Sequence, residues 1–283
     1  MTLIFHERVG LEGRRISPFS WRIRYALAHK GLDPEVAPAR FADVARIRAL
    51  SGQDFVPIIE DDGKVVHDSW SIACHLEDRF PDRPSLFGGA IGRGTARLVN
   101  IWSDTVLGRT MRPQIYADFI RCIDPSDRDY FRRSRETQLG MSLEQFSPDR
   151  DASKPALIEV CAPLERTLAE QPFIAGQAPA YVDYVIFSVF QWARIGSPRD
   201  VLAAAAKMDA TRAWRARMVA LHDGLGDRFA LCRWYDGLSF LHGLFPHPDR
   251  NSNRESRPDY PTTDTTALSG ISDTPRVRDS HGL

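Results

Sequence analysis

The chain has 283 residues, enough for one large domain or two modest ones. Its 43% apolar and 26% charged content is ordinary for a globular protein, and 37 Lys and Arg balance 37 Asp and Glu. That balance argues against a nucleic-acid or membrane-surface partner, both of which ask for a basic excess.

The opening run, Met1 to Glu7, lacks the basic start and long apolar stretch of a signal peptide and reads as a strand over residues 3–6. A loop with Gly10 and Gly13 follows. Phe19, Ile23 and Leu27 then recur at helical spacing, predicting a helix over 18–30 that starts on Pro18 and stops at Gly31. A strand near 35–37 and a helix near 41–50 come next. Val56 to Glu60 reads as a strand, Asp61-Asp62-Gly63-Lys64 as a hairpin turn, and Val65 to His67 as the partner strand. Asp68-Ser69 starts a helix to about Phe80. The order βαβαββα is the thioredoxin-like arrangement. Pro81-Asp82-Arg83-Pro84 breaks the pattern as a linker.

Beyond it the periodicity is helical, over roughly 92–120, 126–147, 155–170, 182–194 and 209–223. The predicted architecture is therefore α/β plus all-α: a thioredoxin-like domain (1–84), a helical-bundle domain (85–244) and a Pro-, Ser- and Thr-rich tail (245–283) too polar to order. Val182 to Ile195 is too short and too polar to span a bilayer and reads as a core helix. Cys74, Cys122, Cys161 and Cys232 are far apart, with no C-x-x-C pair, so a metal ribbon is not expected; reduced thiols in a cytoplasmic protein are.

Ser17-Pro18-Phe19-Ser20 stands where a glutaredoxin-like protein carries Cys-Pro-x-Cys. Serine at both positions leaves a thiol site without its own thiol, so the sulfur must come from a ligand, with glutathione the first candidate. A free thiol has a pKa near ~8.5 and its thiolate is the nucleophile. A helix N-terminus favours that anion by ~0.3–2 kcal/mol and a hydroxyl hydrogen bond by ~1.5–3 kcal/mol. Together they would move the thiol's titration down by roughly one to three pH units. Ser17, just before the helix, is placed to supply the hydroxyl; a serine there also serves as an ordinary N-cap. Ser20 is one turn further in and reads as support. A cis Val56-Pro57 bond would turn the Val56 N–H and C=O toward an extended peptide. Asp68-Ser69 at a helix start can hold an ammonium and a carboxylate, the two groups that glutathione's γ-glutamyl end carries on one carbon.

With these residues the chain resembles cytosolic glutathione S-transferases. Ile16 to Arg22, Tyr25 to Gly31, Val56 to Ile59, Asp68-Ser69-Trp70 and Phe80 to Phe87 are similar to the bacterial β-aryl etherase branch and its fungal relatives. Asp183-Tyr184, Gln191 to Arg194 and Trp214 are weaker matches to the same branch. The resemblance covers about residues 3–240. It implies that Ser17 contacts the glutathione sulfur, Val56 pairs with the cysteinyl backbone beside a cis Pro57, and Asp68 and Ser69 hold the γ-glutamyl group. It also implies a homodimer, with no metal. Arg40, Arg46, Arg48 and Gln53 are the candidates for the glycine carboxylate. Where the family has Ser, Thr or Asn three residues before the buried acid, this chain has Ala180 ahead of Asp183; a missing cap costs about 0.5–2 kcal/mol.

A small aromatic electrophile would sit between the domains. Val9, Leu11, Phe19, Trp102, Val106, Met111, Ile115, Tyr116 and Phe119 are candidate lining residues, with core packing as the competing role of each. The implied activity is attack of the glutathione thiolate on an electrophilic carbon, with release of a phenol where that carbon bears an aryl ether. A non-catalytic binding module on the same fold is the alternative. A disulfide-exchanging redox protein fits least, since it wants cysteine at 17 or 20.

Overall fold

The computed structural model describes residues 2–147, 149–202, 205 and 207–228. The tail expected over 245–283 and Cys232 lie outside them. Strands β1 (Leu3–Arg8), β2 (Glu35–Ala39), β3 (Ile58–Asp61) and β4 (Lys64–His67) form one sheet in the order β2-β1-β3-β4. β2 runs parallel to β1, while β3 and β4 are antiparallel to their neighbours. Helix α1 (Pro18–His29) crosses from β1 to β2, α2 (Val44–Ser51) from β2 to β3, and α3 (Ser69–Arg79) follows β4. This is the expected thioredoxin-like arrangement.

The sheet is covered on both faces. Leu3, Phe5 and Ile59 enter the main core with α1 and α3, whereas Ile58 joins Ala39, Ile47 and Val56 in a smaller cluster under α2. Pro38 lies in the edge strand β2, where a missing ladder donor is tolerated. Asp62 (φ 47°) and Gly63 (φ 86°) make the β3–β4 turn, with both central residues in the left-handed region that a two-residue hairpin favours. Val56, expected in the strand, lies ahead of it; Pro57 has no N–H to give the ladder, and pairing begins at Ile58.

The rest of the described chain is helical: α4 (Ala90–Trp102), α5 (Gly108–Phe119), α6 (Arg128–Leu139), α7 (Leu143–Phe146), α8 (Arg150–Glu170), α9 (Tyr181–Gly196) and α10 (Asp209–Arg228). The single helix expected over 92–120 is interrupted by a π-helical segment, Ser103–Leu107. That expected over 126–147 is broken at Gly140, left-handed at φ 69°. Helix α9 is apolar around nearly its whole circumference, the pattern of a fully buried helix, and packs against α1, α4, α5 and α10. Ala180 gives its N-terminus no side-chain cap. Asp183, fully buried, accepts instead from the Ala180 N–H at 3.1 Å, and also from Ile174 N–H (2.7 Å), Ala175 N–H (3.2 Å) and Trp214 Nε1–H (2.9 Å). One carboxylate thereby closes the loop before α9 and docks α10.

Helix α1 is shared by both parts of the molecule. The Tyr25 hydroxyl donates to the Met218 carbonyl at 2.9 Å, and His29 Nδ1 meets the Tyr184 hydroxyl at 2.6 Å. Tyr181 donates from α9 to the Ser69 carbonyl at 3.2 Å. The first two tie α1, and the third the start of α3, to the helical core.

Inside α10 the backbone leaves the helix at Leu221, and His222, Asp223 and Gly224 are all left-handed. The His222 ring packs edge-on to Tyr25 and near Tyr184, and its Nε2 has no hydrogen-bond partner among the described residues. Burial, aided by nearby His29, pulls its pKa down to about 4; Asp223 opposes and Arg228 assists. A histidine near 6.5 when unfolded and about 4 when folded makes the unfolded state bind more protons in that window. Its stability contribution is therefore complete above pH ~6.5 and is lost as pH falls toward ~4. His222→Asn, which tolerates the left-handed backbone, should flatten this acid limb of melting temperature against pH. An identical slope in both proteins would refute the assignment.

Candidate functional site

Three expected elements meet at one end of the sheet. β1 ends at Arg8 and feeds the loop to α1. In the antiparallel register, His6 pairs with Ile58 and Ile58 with His67. The start of β3, preceded by Val56-Pro57, and the end of β4, followed by Asp68, therefore lie beside the end of β1.

Ser17 is the N-cap of α1, with extended backbone (φ −98°, ψ 123°), and its Oγ accepts from the Ser20 N–H at 3.3 Å. Accepting leaves the hydroxyl hydrogen free to donate outward. Ser17 is half-buried, and the Phe19 N–H has no partner among the described residues, so a donor pair faces outward at the positive end of a helix. Ser20 is turned inward: it is buried and its Oγ lies 3.4 Å from the Arg8 N–H. The two serines thus differ in burial and in hydrogen-bond partner.

The Val56-Pro57 bond is cis. The Val56 side chain is buried in the cluster under α2, while its N–H and C=O take no partner among the described residues. An anchored side chain with a bare backbone edge is the arrangement that receives an extended peptide. Asp68 caps α3, its Oδ1 accepting from the Ser71 N–H at 3.0 Å, and it is exposed. Its backbone (φ 70°, ψ 129°) is in a region a non-glycine residue occupies at a cost of order 1–3 kcal/mol. Ser69 is buried, with its carbonyl held by Tyr181.

The four candidates for a carboxylate donor all have internal partners. Arg40 reaches the helical part, pairing with Asp124 (2.9 Å) and Asp127 (3.3 Å). Arg46 bonds the Pro38 carbonyl, and Arg48 takes Asp54 in a two-pronged pair at 2.6 and 2.7 Å. Gln53 brackets the Phe55 backbone, its Oε1 accepting from the Phe55 N–H at 2.7 Å and its amide donating to the Phe55 carbonyl.

The candidate lining residues divide by burial. Met111, Ile115, Tyr116 and Phe119 take the competing role of core residues, their side chains packed in the main core with those of α9; Val9 is buried as well. Leu11 and Trp102 are half-buried, and Phe19 (41% exposed) and Val106 (36%) are open. Two further residues escaped the sequence reading. Arg8, buried at the end of β1, donates to the Arg40 carbonyl and lies 4.7 Å from the Phe41 ring centroid; burial lowers its pKa to about 10, so it stays charged. Arg22 is buried where α1 meets α4 and α9. The visible signal was a charge on a helix face otherwise rich in apolar residues.

Comparison with known proteins matches the two halves separately. Residues 16–79 fit the family model described as glutathione S-transferase, N-terminal domain, and residues 95–221 the one described as glutathione S-transferase, C-terminal domain, together more than half of the chain. A glutathione S-transferase-like protein of Aspergillus flavus is 25% identical over 143 residues, 44% of this chain and 49% of that relative. The chain thus spans about half the length of that curated relative. A glutathione S-transferase of Ceriporiopsis subvermispora, solved in complex with glutathione, superposes with a TM-score of 0.67 at 21% identity, covering 80% of this chain and 98% of its own. The β-etherase LigF of Sphingobium sp. strain SYK-6 superposes at 0.60 and 20% identity, covering 79% and 97%. Likeness at these identities concerns the fold. Among the described residues no helix is long and apolar enough to cross a membrane.

Proposed function

This chain belongs to the glutathione S-transferase family, and from that premise we propose that it joins glutathione to an electrophilic carbon of a small aromatic compound, using Ser17 to activate the sulfur. The observation that carries this reading is the unspent Ser17 hydroxyl hydrogen at the start of α1. The ligand supplies the thiol that the chain lacks at positions 17 and 20. Ser17 O–H and the Phe19 N–H favour the sulfur as its anion, the thiol proton leaving to solvent. The bare Val56 N–H and C=O pair with the cysteinyl backbone beside Pro57. Asp68 and the start of α3, at Ser69, receive the γ-glutamyl ammonium and carboxylate. The strained backbone of Asp68 supports a ligand role, since such strain concentrates at functional sites. The residues present fit the tripeptide at three points; its glycine carboxylate would have to draw a donor such as Gln53 or Arg46 out of its present bonds.

In the finer version, the carbon attacked bears an aryl ether. A C–S bond forms, the C–O bond breaks, and the departing phenolate takes a proton from water. A phenolate leaves without a general acid, which suits a site where Ser17 only donates a hydrogen bond to the sulfur, and holding both reactants in one cleft supplies orientation. Incubation with glutathione and a β-aryl ether model compound tests it. Absence of phenol release, with conjugation of a chloronitrobenzene intact, would restrict the function to general conjugation.

We also place the division between the two domains near residue 84 and expect a homodimer. Helix α4 exposes Ile91 (89%), Leu98 (69%) and Ile101, and a groove of about 600 Å³ with Val66, Trp70 and Cys74 in its wall runs along β4 and α3. An apolar stripe of this kind is covered in a stable assembly. Sedimentation equilibrium should give about twice the 31.9 kDa chain mass, and Leu98→Glu should shift it toward monomer. A monomeric wild type at micromolar concentration would overturn the dimer.

A further inference from the structure

Arg22 lies three residues beyond Phe19 and so on the same face of α1. It is 1% exposed, and each nitrogen of its guanidinium has a partner on a helix beyond α1. Nε donates to Ser188 Oγ of α9 (3.2 Å), Nη1 to Asn100 Oδ1 of α4 (3.4 Å), and Nη2 to Asp104 Oδ1 in the π-helical segment (2.6 Å). Asn100 in turn donates to Asp104 Oδ2 at 3.0 Å, so both carboxylate oxygens are engaged. The guanidinium carbon lies over the Phe19 ring, 4.8 Å from its centroid.

Phe19 is the second residue of α1 and 41% exposed, two positions after the hydroxyl assigned to the sulfur. One side of its ring rests on a cation that cannot move, because that cation is bonded to three other helices. A guanidinium with every nitrogen engaged is a fixed platform, whereas an exposed phenylalanine on a free helix end would sample several rotamers. The π-helical segment completes the arrangement. Asp104 lies in it and takes the Arg22 bond, and such bulges occur often at functional sites. A leucine in place of Arg22 would pack at the same depth without desolvating a charge, so core filling by itself does not call for an ion pair here.

We propose that Arg22 and Asp104 are positioning residues which hold the Phe19 ring beside the sulfur and thereby set the affinity for the apolar part of the electrophile. The proposal rests on the glutathione reading above. Phe19 makes the contact, Arg22 orients it, and Asp104 holds Arg22.

Calorimetric titration with glutathione and with S-hexylglutathione separates the two claims, because on the proposed arrangement the hexyl arm would extend from the sulfur into the space Phe19 borders. Wild type should prefer S-hexylglutathione. Asp104→Asn should cut that preference by about three- to tenfold, the range expected for loosening one cation-held aromatic contact, with glutathione affinity unchanged. Asp104→Glu keeps the charge and the fold but moves the carboxylate by one methylene, and should give a smaller loss of the same sign. In a Phe19→Ala background the preference is already reduced and Asp104→Asn should add nothing. A merely structural role would lower the melting temperature and leave the preference intact; that outcome, or an equal effect of Asp104→Asn with and without Phe19, overturns the proposal. Wild type that binds glutathione with no preference for the hexyl derivative removes Phe19 as a contact. Wild type that binds neither overturns the glutathione reading itself.

Discussion

Ser17→Ala should lower kcat/KM for glutathione-dependent conjugation by about 10- to 100-fold. A hydrogen bond to a charged group contributes about 1.5–3 kcal/mol, and ~1.4 kcal/mol is one factor of ten. The loss should appear chiefly at neutral pH, where the wild type holds the sulfur as its anion and the variant does not. The rising, acid-side limb of the pH profile, which reports ionisation of the thiol, should consequently move up by one pH unit or more, and rate should recover at high pH. Ser17 also caps α1 through the Ser20 N–H. Alanine therefore costs about 0.5–2 kcal/mol of stability as well. Ser17→Thr separates the two effects, because it keeps both the cap and the hydroxyl. It should retain most of the activity, within the steric cost of one methyl group. A variant in which activity falls but the pH limb stays in place would mean that Ser17 acts only as a cap. Robust disulfide reduction by Ser17→Ala would instead mean that the chemistry lies elsewhere.

The largest stability effect should come from Asp183→Ala. Four N–H donors lose their acceptor together: three backbone groups in the loop before α9 and the Trp214 indole. A buried donor left unpaired costs about 1–3 kcal/mol, so the combined loss should be at least about 4 kcal/mol. Against a total stability of about 5–15 kcal/mol this is a large fraction. A chain of this size should lose on the order of 8–16 °C in melting temperature. Asp183→Asn keeps one acceptor oxygen but turns an amide N–H toward donors, and should fall between. Ala180 makes the position more exposed to change than its neighbours. With no side chain at Ala180 to share the load, Asp183 carries the start of α9 on its own backbone contacts. A drop of less than a few degrees in Asp183→Ala would show that water replaces the carboxylate and that the site is less closed than its burial indicates.

The reading of the residues reached the sheet, its element order and the places of Ser17 and Asp68 at helix starts and of Val56-Pro57 at the entry to β3, because each depends on local rules. Helical spacing, a proline at a helix start, an Asp-Gly turn and a hydroxyl before a helix are all fixed within a few residues of the chain. Gly140 was equally local, and a helix end there could have been read from glycine's freedom at positive φ. The π-helical segment was not local in this sense. It inserts an extra residue into a turn, and a search at 3.6 residues per turn passes smoothly over it.

Whether Met111, Ile115, Tyr116 and Phe119 face a cleft or a core depends on what α9 places against them. An apolar residue obeys the same spacing in either case. The partners of Arg22 lie 78 to 166 residues away. Those of Arg40 lie 84 to 87 residues away. No spacing rule reaches that far, so the sequence offered Arg40 as a ligand for a carboxylate it instead finds within the chain. What the sequence determined by itself is local: a serine at the start of α1, a proline ahead of β3 and an aspartate at the start of α3, in a thioredoxin-like frame. Only the tertiary structure decided which charges are already neutralised, which rings stay open, and that Phe19 stands on a cation fixed from three sides. Those outcomes depend on contacts between distant segments, and burial converts the same side chain from ligand to scaffold.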